Sequence, residues 1–143
     1  MKWAENLLVY IVNEVLINNR DELKIIERDI SKLQEINGPF PRLSYTECIE
    51  LLKKGNYDIQ WGDDFGSPEE TYISAQYKKP VIVYGFPSKI KAFYMKLDNK
   101  DPKLALGMDL IAPEGYGEII GGGERETDYN LSLIHISEPT RPY

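Results

Sequence analysis

The spacing of apolar residues changes along this chain, and that change constrains its fold more than any other feature. From Ala4 to about Ile36, apolar residues recur at every third or fourth position, which predicts two helices or one bent helix. Further along, apolar residues form short strand-like runs with few helices between them. These runs are Pro80–Tyr84, Ala92–Leu97, Leu104–Ile111 and Glu118–Ile120. This order predicts an α+β domain in which an antiparallel sheet is flanked by helices.

Two shorter helices are predicted between these regions by their N-terminal signals. Ser44 and Glu47 form an S-x-x-E capping box, the pattern that opens many helices. Ser67 is the predicted N-cap of the next helix, with Pro68 at its first position and Glu70 as a possible capping partner. The sequence therefore predicts helical segments on both sides of residue 60.

Composition and charge exclude several classes of protein. The 143 residues are enough for one domain, and 42% hydrophobic with 28% charged residues is typical of a globular chain. No apolar window approaches the roughly 18 residues of a membrane span, and the N-terminus lacks a secretory signal, so we expect a cytoplasmic protein. The net charge of −6 argues against binding nucleic acid by bulk attraction. The single cysteine, Cys48, excludes an internal disulfide and is expected to be a buried small hydrophobe.

The C-terminal segment Leu131–Tyr143, LSLIHISEPTRPY, differs in style from the rest of the chain. It resembles the translation of a transposase sequencing adapter, so we expect residues 131–143 not to be native and residues 1–130 to carry the fold. The segment contains His135, the one histidine of the chain. Without it, neither a Ser/His/Asp triad nor a histidine metal site can be built.

Three consecutive glycines follow a strand-like run in the segment GEIIGGGERE, Gly117–Glu126. The segment lacks the Lys-Ser/Thr of a P-loop and does not match G-x-G-x-x-G. A tight turn that needs positive φ is one interpretation. The other is a pocket floor without side chains, on which a small ligand can lie against the backbone.

Charged residues beside the glycines indicate what such a ligand would carry. Glu118 and Arg125 flank the glycines and, in an extended segment with one irregularity, can both point into one cleft. The arginine fork suits a carboxylate or amide oxygen, and Asp109 with Glu118 offers hard oxygen ligands for Mg²⁺ carrying phosphates. Solvated surface charges are the alternative interpretation.

Four ordered segments resemble the catalytic domain of asparaginyl-tRNA synthetases, a family of class II aminoacyl-tRNA synthetases. They are FPRLSYTECIELL (Phe40–Leu52), WGDDFGSPEE (Trp61–Glu70), KPVIVYGFPSKIKAFYMKLD (Lys79–Asp98) and MDLIAPEGYGEIIGGGERE (Met108–Glu126). Their combination is more similar to the asparaginyl enzymes than to the aspartyl enzymes, which share the fold and are the alternative. The resemblance identifies residues 1–130 as a fragment from the C-terminal part of the catalytic domain.

The resemblance implies a function and a site. It implies an enzyme that uses ATP and Mg²⁺ to activate asparagine and then transfers it to tRNA(Asn). It assigns ATP and Mg²⁺ to Glu118 and Asp109, and the amino-acid side chain to Arg125. The other amino-acid-binding assignments are the pocket floor of Gly121, Gly122 and Gly123, together with Lys91 and Glu70. For Lys91, a solvated strand lysine is the other interpretation.

The chain departs from the family pattern at three positions near the predicted site. Thr71 stands where the family usually has arginine, Gly123 where it often has serine, and Glu124 where it often has glutamine. Because Glu124 precedes Arg125, its carboxylate either competes for the guanidinium or faces solvent. The departures leave the choice of amino acid as the open question.

Several family features are not found in the chain. They are motifs 1, 2 and 3 and the anticodon-binding barrel, and the opening MKWAENLLVYIVNEVL resembles the helix after motif 2. We therefore expect the chain alone to be inactive and the full-length protein to be a homodimeric enzyme that does not bind membranes. A synthetase-like paralogue that binds an amino acid, or forms asparagine without charging tRNA, is the alternative.

Overall fold

The computed structural model describes residues 1–137, which adopt the predicted α+β fold. The helices of this part are α1 (Lys2–Asn18), α2 (Arg20–Ile25), α3 (Ile30–Gln34), α4 (Tyr45–Lys54), α5 (Ser67–Ala75) and α6 (Tyr129–Ser137). The strands are β1 (Arg42–Ser44), β2 (Val81–Tyr84), β3 (Gly107–Ala112) and β4 (Gly117–Gly123), and a short 3-10 helix spans Ser88–Ile90. Within the described residues, none of the helices combines the length and apolarity that a membrane crossing requires.

The N-terminal region contains three helices, whereas its apolar spacing predicts two or one bent helix. Helix α1 ends at Asn18 because Asn19 leaves the helical conformation, with φ of −124° and ψ of 31°. Helix α3 begins after Asp29, whose carboxylate accepts a hydrogen bond from the Ser31 N–H at 3.0 Å. Such breaks depend on single residues, which is why the period of the apolar residues does not reveal them.

Helix α4 begins with the predicted capping box. The Glu47 N–H donates to Ser44 Oγ at 3.2 Å, and the Ser44 N–H donates to Glu47 Oε2 at 2.7 Å. The exchange satisfies backbone donors that the first turn of a helix leaves without intrahelical partners. The helix then continues to Lys54 and ends before Gly55.

Helix α5 begins earlier than its sequence signals predict. Gly66 is the N-cap instead of Ser67, and the Gly66 N–H donates to Glu69 Oε2 at 3.0 Å. The interpretation of Glu70 as the capping partner is therefore wrong, because Glu69 makes that contact. The resulting helical phase directs Glu70 toward strand β4, where it accepts a hydrogen bond from the Glu118 N–H.

The strands form one sheet in the order β1-β2-β3-β4. Strands β2, β3 and β4 are antiparallel neighbours, as predicted, and β1 joins them parallel to β2. The parallel pair forms because helices α4 and α5 lie in the connection between β1 and β2. Strand β3 begins at Gly107, later than the predicted start at Leu104.

The predicted strand Ala92–Leu97 is wrong. The Met95 N–H donates to the Ala92 carbonyl at 3.0 Å, which closes a turn, and Met95 is joined to Arg125 by an isolated bridge. The apolar side chains of this run are only partly buried. The strand-like apolar run therefore belongs to a loop that packs along the end of β4.

Two apolar clusters cover opposite faces of the sheet. Helices α4 and α5 pack on one face, against Val81, Val83 and Ile111. Helix α1 packs on the other face, against Ile82 and Leu110. Successive residues of each strand point to opposite faces, so the two clusters share the same strands.

Cys48 of helix α4 is fully buried in the first of these clusters, which confirms that it is a small hydrophobe. Burial raises the pKa of its thiol to about 12. The thiolate, which is the reactive form, is therefore not populated at neutral pH. Cys48 contributes to packing and not to chemistry.

Helix α6 crosses the predicted boundary between residues 130 and 131. It continues through Ser137, and the remaining residues of the predicted tail, 138–143, lie outside the described part. Tyr129, Leu131 and Leu133 of this helix are exposed large hydrophobics. The helix therefore adds no side chain from these three positions to either cluster.

Candidate functional site

A cleft of about 400 Å³ opens beside the end of strand β4. It is lined by Lys91, Tyr94, Met95, Asp109, Glu118, Gly121, Gly122, Gly123 and Arg125. All the predicted site residues except Glu70 belong to this lining. Residues from two strands and from two loops therefore meet at one place.

Two larger hollows lie elsewhere on the described surface. One, of about 470 Å³, is lined by residues that include Tyr84 and Met108, and the other, of about 510 Å³, by residues that include Lys32 and Thr71. Neither combines paired carboxylates, an arginine and a glycine floor. We therefore place the candidate site in the smaller cleft, on the chemistry of its lining and not on its size.

The register of β3 and β4 places the two carboxylates on one face of the sheet. Asp109 pairs with Gly121, and Ile111 pairs with Glu118 across an irregularity in the ladder. Because side chains alternate along a strand, Asp109 and Ile111 point to the same face, and their partners share it. That face also carries helices α4 and α5, so the site adjoins the larger apolar cluster.

The glycines lie in a strand, and the interpretation of the run as a tight turn with positive φ is wrong. A Cβ at Gly121 would clash with Glu118 Oε1, so its absence leaves room for that carboxylate. A Cβ at Gly123 would lie 2.9 Å from the Leu106 carbonyl, which is backbone and cannot yield. A Cβ at Gly122 would meet nothing within 4 Å. Gly123 is therefore the sterically required member of the floor, whereas a side chain at Gly121 would displace the Glu118 carboxylate.

Lys91 and Asp109 form an ion pair inside the cleft. Lys91 Nζ lies 2.6 Å from Asp109 Oδ2, and the two side chains are 15% and 12% exposed. The ammonium also lies 3.9 Å from the centre of the Phe86 ring, a cation–π contact. Burial raises the pKa of Asp109 above its usual value, although the hydrogen bond from Lys91 opposes this. The interpretation of Lys91 as a solvated strand lysine is therefore wrong.

Glu118 adds a second carboxylate to this site. Its pKa is raised first by burial and then by the negative charge of Asp109, and Lys91 opposes the shift only in part. The two acids thus carry more negative charge than Lys91 neutralises. Among the side chains that the structure describes, no group of three or more His, Cys, Asp or Glu could hold a metal ion. The pair fits a cation that takes one or two carboxylates and completes its shell with ligand phosphates, as Mg²⁺ does.

Arg125 follows strand β4 and lies over an aromatic ring. Its guanidinium carbon is 4.7 Å from the centre of the Tyr94 ring. The neighbouring Glu124 is bound elsewhere, because Lys96 Nζ lies 2.6 Å from Glu124 Oε1. Glu124 therefore does not occupy the Arg125 fork in this structure. Sequence reasoning missed Tyr94 and Lys96, and the aromatic and basic residues of AFYMKL were the available signal.

Glu70 lies outside the cleft lining. Its Oε2 accepts a hydrogen bond from the backbone N–H of Glu118 at 3.0 Å. The structure thus places Glu70 behind the site residue and not beside the predicted amino-acid pocket. A direct contact between Glu70 and an amino acid has no support from this arrangement.

Comparison with known proteins gives this arrangement a family. The model of class II tRNA synthetases (D, K and N) matches residues 1–139. The asparagine–tRNA ligase of Desulforamulus reducens is 51% identical over 142 residues, which are 99% of this chain and 33% of that protein. That of Koribacter versatilis is 47% identical, over 99% of this chain and 34% of its own length. The chain therefore spans about a third of the length of these relatives.

Solved structures agree with these sequence relatives. Asparaginyl-tRNA synthetase from Pyrococcus horikoshii, in a structure complexed with asparaginyl-adenylate, matches 99% of this chain and 33% of its own, with a TM-score of 0.93 and 43% identity. An aspartyl-tRNA synthetase from Entamoeba histolytica, matched over 99% of this chain and 30% of its own, has a TM-score of 0.80 and 28% identity. The aspartyl alternative is therefore not favoured. The chain belongs to the class II tRNA synthetase family (D, K and N).

Proposed function

We propose that the full-length protein containing this chain is an asparagine–tRNA ligase. It joins the asparagine carboxylate to the α-phosphate of ATP, releases pyrophosphate, and passes the asparaginyl group to tRNA(Asn). The observation that carries the proposal is one cleft that combines Arg125 with the Asp109 and Glu118 carboxylates over a glycine floor. The names of the relatives support the same activity.

Asp109 and Glu118 are the residues that would hold Mg²⁺ bound to the ATP phosphates. When bound, Mg²⁺ supplies positive charge that offsets the charge of the phosphate oxygens. Lys91 occupies one oxygen of Asp109 and so leaves Oδ1 for this purpose. The pKa of each acid is raised first by burial, and that of Glu118 also by the negative charge of Asp109, so a bound cation would stabilise the ionised form of both.

Arg125 would read the side chain of the amino acid. Its planar fork donates two hydrogen bonds in fixed directions, which suits an amide oxygen. The binding of Glu124 by Lys96 supports this role, because it leaves the guanidinium available to a ligand. Rejection of aspartate requires in addition an acceptor for the amide NH₂ of asparagine, because an unmatched buried polar group is what discriminates the two.

The reaction needs no covalent intermediate with the protein. Holding the carboxylate of asparagine against ATP, and offsetting the charge that develops, supply the acceleration. The cleft contributes two cations, Lys91 and Arg125, and the first is already paired with Asp109. We therefore propose that further cations for the triphosphate come from the rest of the full-length protein, and that this chain alone is inactive.

The assembly and location form part of the same proposal. The family resemblance supports a homodimeric, cytoplasmic enzyme. For tests we define the full-length chimera as an asparaginyl-tRNA synthetase in which residues 1–130 of this chain replace the matching segment. Light scattering of the chimera measures whether it is a dimer.

An Arg125→Lys variant of the chimera tests the role of the fork. Lysine keeps the charge but loses the planar pair of donors, so the loss is on the order of 2 kcal/mol or more, about thirtyfold in kcat/KM for asparagine. The exposed Lys100→Ala is the control and is expected to retain full activity. Unchanged asparagine-dependent pyrophosphate exchange in Arg125→Lys would show that Arg125 does not read the side chain.

A further inference from the structure

Glu70 accepts a hydrogen bond that is not part of a helix cap, and its side chain does not line the cleft. Its Oε2 lies 3.0 Å from the backbone nitrogen of Glu118, across 48 positions of sequence. The residue before Glu118 is Gly117, with φ of +73°, and a Cβ there would lie 2.8 Å from the same Glu70 oxygen. A side chain at position 117 is thus excluded by backbone conformation and by the Glu70 carboxylate.

The contact falls where the ladder between β3 and β4 is irregular. Leu110 pairs with Ile120, but the next residue, Ile111, pairs with Glu118, so the register skips Ile119. At such a bulge the regular ladder no longer fixes the direction of the neighbouring side chains. The hydrogen bond that the Glu118 N–H donates to Glu70 of helix α5 restrains the backbone at this point.

The capping of helix α5 does not depend on Glu70. Glu69 accepts from the Gly66 N–H at 3.0 Å and makes the N-terminal contact of that helix. Two adjacent acids of one helix therefore accept one backbone N–H each, at the same distance. One contact lies within the helix start, and the other reaches the candidate site.

We propose that Glu70 is a positioning residue, whose carboxylate holds the backbone of Glu118 so that the Glu118 side chain faces Asp109 over Gly121. This role rests on the proposed function, because Mg²⁺ with ATP is what Glu118 is directed toward. Glu70 acts through an acceptor oxygen at a fixed reach. Its negative charge is not the active feature, and it adds to the repulsion that Glu118 already experiences from Asp109.

Substitutions that separate oxygen, charge and reach test the role in the full-length chimera. Glu70→Gln keeps the acceptor oxygen without the charge, whereas Glu70→Asp keeps the charge but shortens the reach, and Glu70→Ala removes both. Binding of Mn²⁺ in the presence of ATP, followed by electron paramagnetic resonance, is the measurement. We expect about tenfold or weaker affinity in Glu70→Ala and Glu70→Asp. Glu70→Gln is expected to stay within about twofold of the unaltered protein, since its oxygen can still accept.

Glu69→Ala is the matched control, because it removes an equivalent contact from the same helix. It is expected to leave Mn²⁺ affinity unchanged even where it lowers the melting temperature. Equal loss in Glu69→Ala, or loss in Glu70→Gln equal to that in Glu70→Ala, would overturn the positioning role. If Glu70→Ala does not fold, Glu70→Asp gives the same comparison.

The result also separates this role from the proposed function. An unaltered chimera without asparagine-dependent exchange contradicts the proposed function. Normal exchange in the unaltered chimera, with equal Mn²⁺ affinity in Glu70→Ala and Glu70→Asp, contradicts only the positioning role.

Discussion

Lys91 Nζ lies 2.6 Å from Asp109 Oδ2, and this pair places a positive charge against the deepest carboxylate of the cleft. Both side chains are nearly buried, and the Phe86 ring covers the ammonium. Removing one member of an ion pair that is this well buried strongly destabilises the fold, because the remaining charge is left buried without a partner. The pair therefore belongs to the candidate site and is also expected to stabilise the sheet that carries Asp109.

Replacing Lys91 by methionine is expected to destabilise the full-length chimera by about 3 kcal/mol, because a buried carboxylate is left without its partner. Burial then acts on Asp109 without opposition, so its pKa rises further and part of the destabilisation is relieved by proton uptake. The melting temperature measures the effect. Lys103→Met, at an exposed lysine, is the control and is expected to change it little. Equal melting temperatures for both variants would show that the pair does not stabilise the fold.

Glu114, between β3 and β4, gives the fold a defined sensitivity to acid. It accepts hydrogen bonds from Arg28 Nη1 at 3.0 Å and from Lys32 Nζ at 2.8 Å, and these cations lower its pKa from 4.5 to about 2. Because the folded pKa lies below the unfolded one, the ionised group stabilises the fold above about pH 4.5. That contribution declines as the pH falls toward 2.

A Glu114→Gln variant of the chimera measures this contribution. We expect it to be less stable than the unaltered protein at pH 6, by about 1 kcal/mol because solvent screens the pair. The difference is expected to shrink as the pH falls from 4.5 toward 2, since the unfolded chain takes up a proton at Glu114 in this range while the folded protein keeps the group ionised. Melting temperatures across this range provide the check. A difference that does not depend on pH would contradict the assignment of the low pKa to Glu114.

Removing Leu131–Tyr143 tests whether the C-terminal segment is native to the fold. We expect the chain that ends at Asn130 to melt at the same temperature as the 143-residue chain, since an adapter translation has no evolved contacts with the core. The exposure of Leu131 supports this expectation. A measurable decrease in melting temperature on truncation would show that the segment packs on the domain.

Local sequence signals predicted the features of this fold that depend on neighbouring residues. The capping box of Ser44 and Glu47 was correct because both partners lie within one helical turn. The strand predicted at Ala92–Leu97 was wrong because this short apolar run lies in a loop, which the local pattern does not distinguish from a strand. A local signal can still be displaced by one residue, since helix α5 is capped by Gly66 and Glu69 and not by the predicted Ser67 and Glu70.

The residues that line the candidate site could be predicted from the sequence, but the hydrogen bonds that hold them in place could not. The resemblance supplied Asp109, Glu118 and Arg125, and all three line one cleft. The bond between Glu70 and the Glu118 N–H depends on the phase of a helix and on a bulge in a distant strand. Neither of these has a local sequence signal, so the partner of the Glu70 carboxylate was not predictable.

Asparagine-dependent exchange between ATP and pyrophosphate tests the central proposal most directly, because it measures adenylate formation without tRNA. We predict exchange in the full-length chimera with asparagine, at a rate about a hundredfold or more above that with aspartate. We predict no exchange in the isolated 143-residue chain. Absence of exchange in the chimera, or equal rates with aspartate, would contradict the proposed asparagine–tRNA ligase. Exchange by the isolated chain would contradict the claim that its cleft lacks the cations that ATP requires.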